Sequence, residues 1–372
     1  MDPGKIDAVL ERPPKPELGD FAFPCFQLAK ELKKAPPQIA GELAEKVAGE
    51  LELLTEARAL GPYLNLFVNR QEFARSILHA PGALAEDIGT SSEGEGKVVA
   101  IDFSSPNIAK PFHVGHLRST IIGSTLYRIF ASLGYECVGI NHLGDWGTQF
   151  GKMVCGLKHW GEEKDLEDLD ALNALYVRYH EEEEKNPELA DEARDWFRRQ
   201  EEGDPEAIDL WKKIRETSLD YFKVIYDRLS VHFDHYTGES FFNDKMDAVV
   251  DRAEELGLTS VSDGAVVIDL EPHGIDTPAL LRKADGATLY MTRDLAAAGY
   301  RQKTYKFDQL LYVVGTAQSL HFRQLFKVLE LMEESWAEDC SHVNFGLVQG
   351  MSSRKGNVIY LCLLYTSDAA DE

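Results

Sequence analysis

Two histidines three residues apart, His113 and His116, follow a lysine, Lys110, in the stretch SSPNIAKPFHVGHLRSTIIG that runs from Ser104 to Gly123. Imidazoles grouped this closely suit a nucleotide, and Gly115 between the rings lets a flat ring or a phosphate approach the backbone. An apolar run, Val98 to Phe103, ends in the turn-forming Ser-Ser-Pro-Asn. Beyond Pro111, residues Leu117, Ile121, Ile122, Leu126, Ile129, Phe130 and Leu133 recur at three- and four-residue spacing, and Gly134 stands where a left-handed helix end would fall. The pattern predicts strand, loop and helix, with both histidines in the opening turn. A helix that starts at the carboxyl end of a buried strand points unpaired N–H groups and its positive dipole end into the crevice above the sheet, a place that attracts phosphate. Histidines at this spacing can also ligate zinc or sit in a core, but no third ligand stands at a standard zinc spacing.

The second half of the chain offers a different set. Tyr290 and Asp294 are four residues apart at a predicted junction between a strand (288–290) and a helix (about 292–300), so both can face one cavity; a buried tyrosine beside a capping carboxylate has the same spacing. Gln309 to Val314 reads as a short, fully apolar strand of the parallel kind, leading through Gly315-Thr316-Ala317-Gln318 into a helix over 320–332. A last strand, 342–348, delivers Gln349 to Asn357, QGMSSRKGN, in which Ser352, Ser353, Arg354 and Lys355 make a loop suited to anions. His232 and His235 lie on an expected strand beside Gly238-Glu239-Ser240, and a structural role suits them better than ligation.

Composition narrows the class. The 372 residues have room for two or three domains, and there is no run of about 18 apolar residues, so neither a membrane span nor a secretion signal is indicated and a cytoplasmic protein is expected. The five cysteines, Cys25, Cys137, Cys155, Cys340 and Cys362, contain no CxxC pair, which argues for buried thiols rather than disulfides or a zinc ribbon. A formal charge of −24 opposes nucleic-acid binding, but residues 161–206 carry 18 acidic against 6 basic side chains, so half of it sits in one segment whose run Glu181 to Glu184 reads as a solvated face.

In chain order, residues 1–94 read as a small α/β domain. It holds Gly19-Asp20-Phe21, a short helix around Leu28 to Leu32, a proline-led helix from Pro36, and a strand from Tyr63 to Val68 after the Gly61-Pro62 turn. The segment GTSSEGEG, Gly89 to Gly96, reads as a linker. A second domain over 95–360 opens with a β-α-β unit completed by the strand from Tyr135 to Asn141, continues through GDWGTQFG (Gly144 to Gly151) into charged helices over about 152–228, and returns to strands from Ala265.

The SSPNIAKPFHVGHLRSTIIG block resembles the HIGH signature of class I aminoacyl-tRNA synthetases in the form typical of arginyl-tRNA synthetases, and GDWGTQFG matches the same family. The loop with Arg354 and Lys355 is similar to the family's KMSKS loop, in a variant form. The resemblance covers about residues 15–358 and implies a Rossmann-like parallel-sheet catalytic domain with a helical insertion, preceded by an α/β domain that touches the outer corner of tRNA. It implies a ligase that activates L-arginine with ATP and Mg2+ and passes it to tRNA(Arg), acting as a monomer; from the cysteine pattern no resident structural metal is expected. On that resemblance, His113, His116, Lys110 and Lys355 act in catalysis, and Gly115, Ser352, Ser353 and Arg354 join them around ATP. Which of Lys110, Arg354 and Lys355 reaches the phosphates stays open. The family's arginine contacts fall on Asp102, Ser105, Pro106, Asn107, His116, Tyr290, Asp294 and Gln318; Asp102 stands where other members have glutamate. A cysteinyl-type relative should show zinc-ligand cysteines, which this chain lacks. The family continues past the KMSKS-like loop into an anticodon-binding domain, whereas residues 361–372 leave its pattern and resemble a non-native tail. A catalytically incomplete fragment or paralogue that still binds arginine, ATP or RNA is therefore the alternative.

Overall fold

The computed structural model describes residues 6, 9–47, 50–79 and 89–346, and the chain divides into two compact units, Met1–Gly89 and Thr90–Glu372. In the first, β1 (Phe21–Pro24), β2 (Leu54–Leu60) and β3 (Tyr63–Val68) form an antiparallel sheet of order β1-β3-β2. Helices α1 (Phe26–Leu32), α2 (Pro36–Val47) and α3 (Arg70–Leu78) accompany it. Its small core gathers Phe23, Cys25, Ile39, Ala40 and Leu64. Only the last strand was expected from sequence; β2 is weakly alternating and half exposed, so its pairing with β3 across the Gly61 turn left little signal.

The second unit is built on a parallel sheet of order β10-β9-β4-β5, comprising β4 (Val98–Asp102), β5 (Glu136–Ile140), β9 (Gln309–Gly315) and β10 (Cys340–Phe345). The two-residue period of β4 divides its side chains between two cores. Val99, Ile101 and Phe103 pack toward α4 (Val114–Ser132) and a helical region. That region consists of α5 (Thr148–Trp160), α6 (Leu169–Glu183), α7 (Glu188–Glu201) and α8 (Pro205–Arg228). Ala100 joins the opposite core, with Val138, Ile140 and residues of α9 (Met246–Glu255), α10 (Tyr290–Tyr305) and α11 (Ser319–Leu331). A separate antiparallel sheet, β6 (Thr259–Ser262), β7 (Ala265–Ile268) and β8 (Ala279–Arg282), precedes α10.

Three expectations need correction. Residues 232–235 form no strand: His235 makes one isolated bridge to Ile140, and its ring stacks on Tyr305 at 5.0 Å. Residues 288–290 are not a strand either; Thr288 makes a single bridge to Arg282, and α10 begins at Tyr290, so Tyr290 and Asp294 share one helix. The last strand starts at Cys340, two residues early, in register with Leu310.

Helices α5 and α7 approach closely because Gly151 has no side chain: a Cβ there would stand 1.9 Å from the Ala193 carbonyl oxygen. Gly151→Ala is therefore expected to wedge the two helices apart and lower stability by about 1–3 kcal/mol, the usual cost of overpacking, measured as a shift in the urea unfolding midpoint at constant slope.

Candidate active site

The loop after β4 is strained and held. Ser104 (φ 71°), Ser105 (φ 48°) and Ala109 (φ 60°) all occupy the left-handed region that ordinary residues avoid. The Ser104 N–H donates to Ser119 Oγ at 3.0 Å, its hydroxyl meets Tyr226 at 2.8 Å, and the Ala109 N–H donates to Ser218 Oγ at 2.9 Å. Helix α8, which supplies Ser218 and Tyr226, thus fixes the loop that leads to the histidines.

His113 is the N-cap of α4, and a reciprocal capping box links it to His116. The Gly115 N–H donates to His113 Nδ1 at 3.1 Å, the His113 N–H donates to His116 Nδ1 at 3.3 Å, and the rings stack with centroids 3.7 Å apart. Using each Nδ1 as an acceptor leaves Nε2–H as the donor of a neutral ring. Burial, with the charge of Lys110, holds His113 below the ordinary imidazole range; burial, with His113 and Lys110, pulls His116 down to about 3. Two neutral donors at the positive end of a helix suit an anion. A Cβ at Gly115 would stand 2.8 Å from the His113 ring, so the glycine is what lets the cap form. Lys110 lies with its ammonium 5.0 Å from the centre of the Tyr176 ring.

A cavity of about 290 Å³ opens beside the carboxyl ends of β4 and β9. Its walls bring together Asp102, Ser105, Asn107, Tyr290, Asp294 and Gln318, six of the sequence candidates, from three separate stretches. His116 and Pro106 do not line it, although the Pro106 carbonyl accepts from the Gly144 N–H at 3.1 Å and so sets Asn107 against the Gly144 backbone. Sequence reasoning missed His142, Glu239, Arg293, Tyr312 and His321, which complete the walls. Of these, Glu239 carried a signal, the GES turn beside the noticed histidines, and His142 stood between a predicted strand and GDWG. Ser352, Ser353, Arg354 and Lys355 lie outside the described residues, as do residues 361–372.

The cavity is acidic but each carboxylate has a partner. Asp102 Oδ2 accepts from buried Arg301 at 2.7 Å and Oδ1 from the Ser105 hydroxyl at 2.9 Å. Asp294 Oδ2 meets His321 Nε2 at 2.6 Å, with His142 Nε2 4.0 Å from Oδ1. Burial would raise the Asp294 carboxyl, but the hydrogen bond and charge of His321, with His142 and Arg301, hold it below the usual range. Burial drives Glu239 up to about 7 against the pull of Arg293, whose guanidinium is 3.8 Å away, and Asp294 and Asp145 add to the rise. Glu239 is placed by the GDWG segment: fully buried Asp145 accepts from Ser240 N–H at 2.8 Å and from Arg215 Nε at 2.8 Å, and the Glu239 N–H donates to the Leu143 carbonyl at 2.9 Å.

A family model described as tRNA synthetases class I (R), catalytic domain, matches residues 79–371, and one described as arginyl tRNA synthetase N terminal domain matches residues 1–68. The chain belongs to the class I (R) tRNA synthetases. It is 50% identical over 361 residues to the arginine–tRNA ligase of Alkaliphilus metalliredigens, covering 95% of this chain and 63% of that protein. To the ligase of Clostridium perfringens it is 51% identical over 362 residues, covering 96% and 64%. It thus spans less than two thirds of the length of these relatives. The fold is that of Thermus thermophilus arginyl-tRNA synthetase, with a TM-score of 0.68 at 23% identity over 93% of this chain and 64% of that one. The Plasmodium falciparum enzyme gives 0.66 at 24%, over 92% and 61%.

Because the depressed imidazoles bind fewer protons in the native state than in the unfolded chain, they make stability fall as pH drops from the ordinary imidazole value of 6.5 toward about 3. His116 should accordingly show no titration through the neutral range in a two-dimensional NMR experiment; an ordinary imidazole curve for His116 would refute the neutral capping pair.

Proposed function

We propose that this chain carries the active site of an arginine–tRNA ligase. The observation that carries it is the cavity in which Asp102, Glu239 and Asp294 converge beside a helix N-terminus capped by two neutral histidines. A guanidinium is a planar, permanently charged fork that asks for carboxylates able to accept from two of its donors together, and the nearest partners of Asp294 are histidines. Glu239, across the same cavity, loses its proton to meet the fork. Tyr290 and Gln318 supply neutral contacts, while Ser105, Asn107 and Asp102 at the strand end address the amino-acid head. Lysine, a point charge, would leave acceptors unfilled.

ATP, taken as its magnesium complex, lies with its phosphates at the start of α4. An oxygen of the arginine carboxylate attacks the α-phosphorus, the bond to the bridging oxygen breaks, and pyrophosphate leaves. His113 and His116 donate Nε2–H to charge that grows on the phosphate oxygens, with Lys110 and the loop of Ser352 to Lys355 contributing cations. A 2′-hydroxyl of the terminal adenosine of tRNA(Arg) then attacks the acyl carbon and releases AMP. The amino-terminal unit contacts the tRNA, and the work is done in the cytoplasm. Among the described residues no helix is long and apolar enough to cross a membrane.

Calorimetry with a non-hydrolysable arginyl-adenylate analogue tests the proposal without tRNA. The folded chain should bind the arginyl compound and ignore lysyl and cysteinyl analogues; indifference to all three, or preference for another, would overturn it. Asp294→Ala should weaken the arginyl analogue at least about a hundredfold, roughly 3 kcal/mol, while leaving ATP affinity unchanged. Affinity for arginine should also rise with pH up to about 7 and then level, because the free site holds a proton on Glu239 that the guanidinium displaces. In Glu239→Gln the slope should vanish, and a slope that persisted would assign the proton elsewhere.

A further inference from the structure

We propose that Cys155, His159 and Glu192 form a zinc site that clamps α5 to α7, away from the cavity described above. Their ligand atoms, Cys155 Sγ, a His159 ring nitrogen and a Glu192 carboxylate oxygen, lie within 4.8 Å of one another, the one such trio among the described residues. Cys155 and His159 are four apart on α5 and so share a face, and Glu192 reaches them from α7. The two helices are packed closely where the three residues meet. Gly151, one turn before Cys155 on that face, seats α5 against the backbone at Ala193, the residue next to Glu192.

His159 Nε2 already stands 2.7 Å from Glu192 Oε2. An exposed ion pair of that kind contributes little by itself, and the fully buried Cys155 thiol adds a third donor atom beside it. Thiolate, imidazole and carboxylate are the donor types zinc accepts, and at metal distances of about 2.0–2.3 Å a small inward movement of the three closes the set. Binding breaks the Cys155 S–H bond, sends the proton to solvent and forms an S–Zn bond. One thiolate and one carboxylate then balance the dication, and water fills the fourth tetrahedral position. The expectation of a chain without resident metal rested on the lack of a CxxC pair; here one cysteine pairs with a histidine one turn on, and the third ligand comes from another helix.

Cobalt(II) titration of the full chain, followed by absorption and then by displacement with zinc(II), tests the site. One equivalent should produce a sulfur-to-cobalt charge-transfer band that zinc removes. Cys155→Ser should abolish the band, whereas Cys137→Ser should retain it. His159→Ala and Glu192→Gln, which alter partly exposed groups, should each weaken cobalt binding by at least about tenfold. A folded chain with no charge-transfer band, or a band that survives Cys155→Ser, overturns the proposal. If circular dichroism shows that Cys155→Ser does not fold, unchanged affinity in both of the other variants overturns it as well.

Discussion

The site depends on one buried ion pair. Arg301, 1% exposed, has left water entirely, and its desolvation is repaid by Asp102 at 2.7 Å, with the Tyr312 ring 5.4 Å from the guanidinium. Removing either partner would strand a charge in the interior, a loss of several kcal/mol. The pair joins the carboxyl end of β4 to the middle of α10, two turns beyond Asp294, and so fixes the helix that presents the central carboxylate of the cavity against the strand that leads to the histidines. Arg301 Nε has no hydrogen-bond partner among the described residues, which adds to the weight carried by the hydrogen bond to Asp102.

The strained loop is a second cost met by packing. Left-handed conformations at Ser104, Ser105 and Ala109 cost of the order of 1–3 kcal/mol each, and they persist because hydroxyls from α4 and α8 satisfy the loop's backbone and side chains. This gives the acidic helical region a physical role. Its inner stripe, Ile214, Ser218, Phe222, Ile225 and Tyr226, is buried, with Ser218 and Tyr226 bonded to the loop, while many of its acids form ion pairs at the surface. Charge concentrated on the outer face of such helices says little about the polarity of the cavity that their inner face supports.

How much of this could be read from the chain follows from how local each feature is. The strand, loop and histidine cap were legible because helix period, turn residues and the glycine stop all lie within forty residues, and the parallel character of β9 showed in its unbroken apolar run. Tyr290 and Asp294 were noticed through their four-residue spacing as well as a family pattern, and Gln318 through the family pattern alone. Arg301 was not legible: an arginine in the middle of a helix reads as a solvated residue, and only the fold shows that it meets a carboxylate 199 positions away. His142 and His321 were hidden for the same reason, since their partner Asp294 belongs to neither of their elements. The apparent strands at 232–235 and 288–290 failed because short apolar or aromatic runs need a neighbour with free backbone groups, and each finds only a single bridge.

A site of the proposed kind has to hold a guanidinium and a triphosphate side by side, and three bare carboxylates would repel the second while attracting the first. The structure separates these demands by giving each acid a different counter-charge. Asp102, at the strand end, is fully compensated by Arg301. Burial pushes Glu239 up to about 7, so near neutral pH it is only partly ionised and its charge develops further when a cation arrives. Only Asp294 stays ionised with histidines as its nearest partners, which makes it the fixed anchor. On the phosphate side the reverse economy holds: His113 and His116 stay neutral and attract through N–H dipoles and the helix end, so the capping pair adds no further imidazolium to those already beside Asp294. Selectivity for a cation and tolerance of an anion then coexist because the charges that would conflict are withheld until the ligands bring their own.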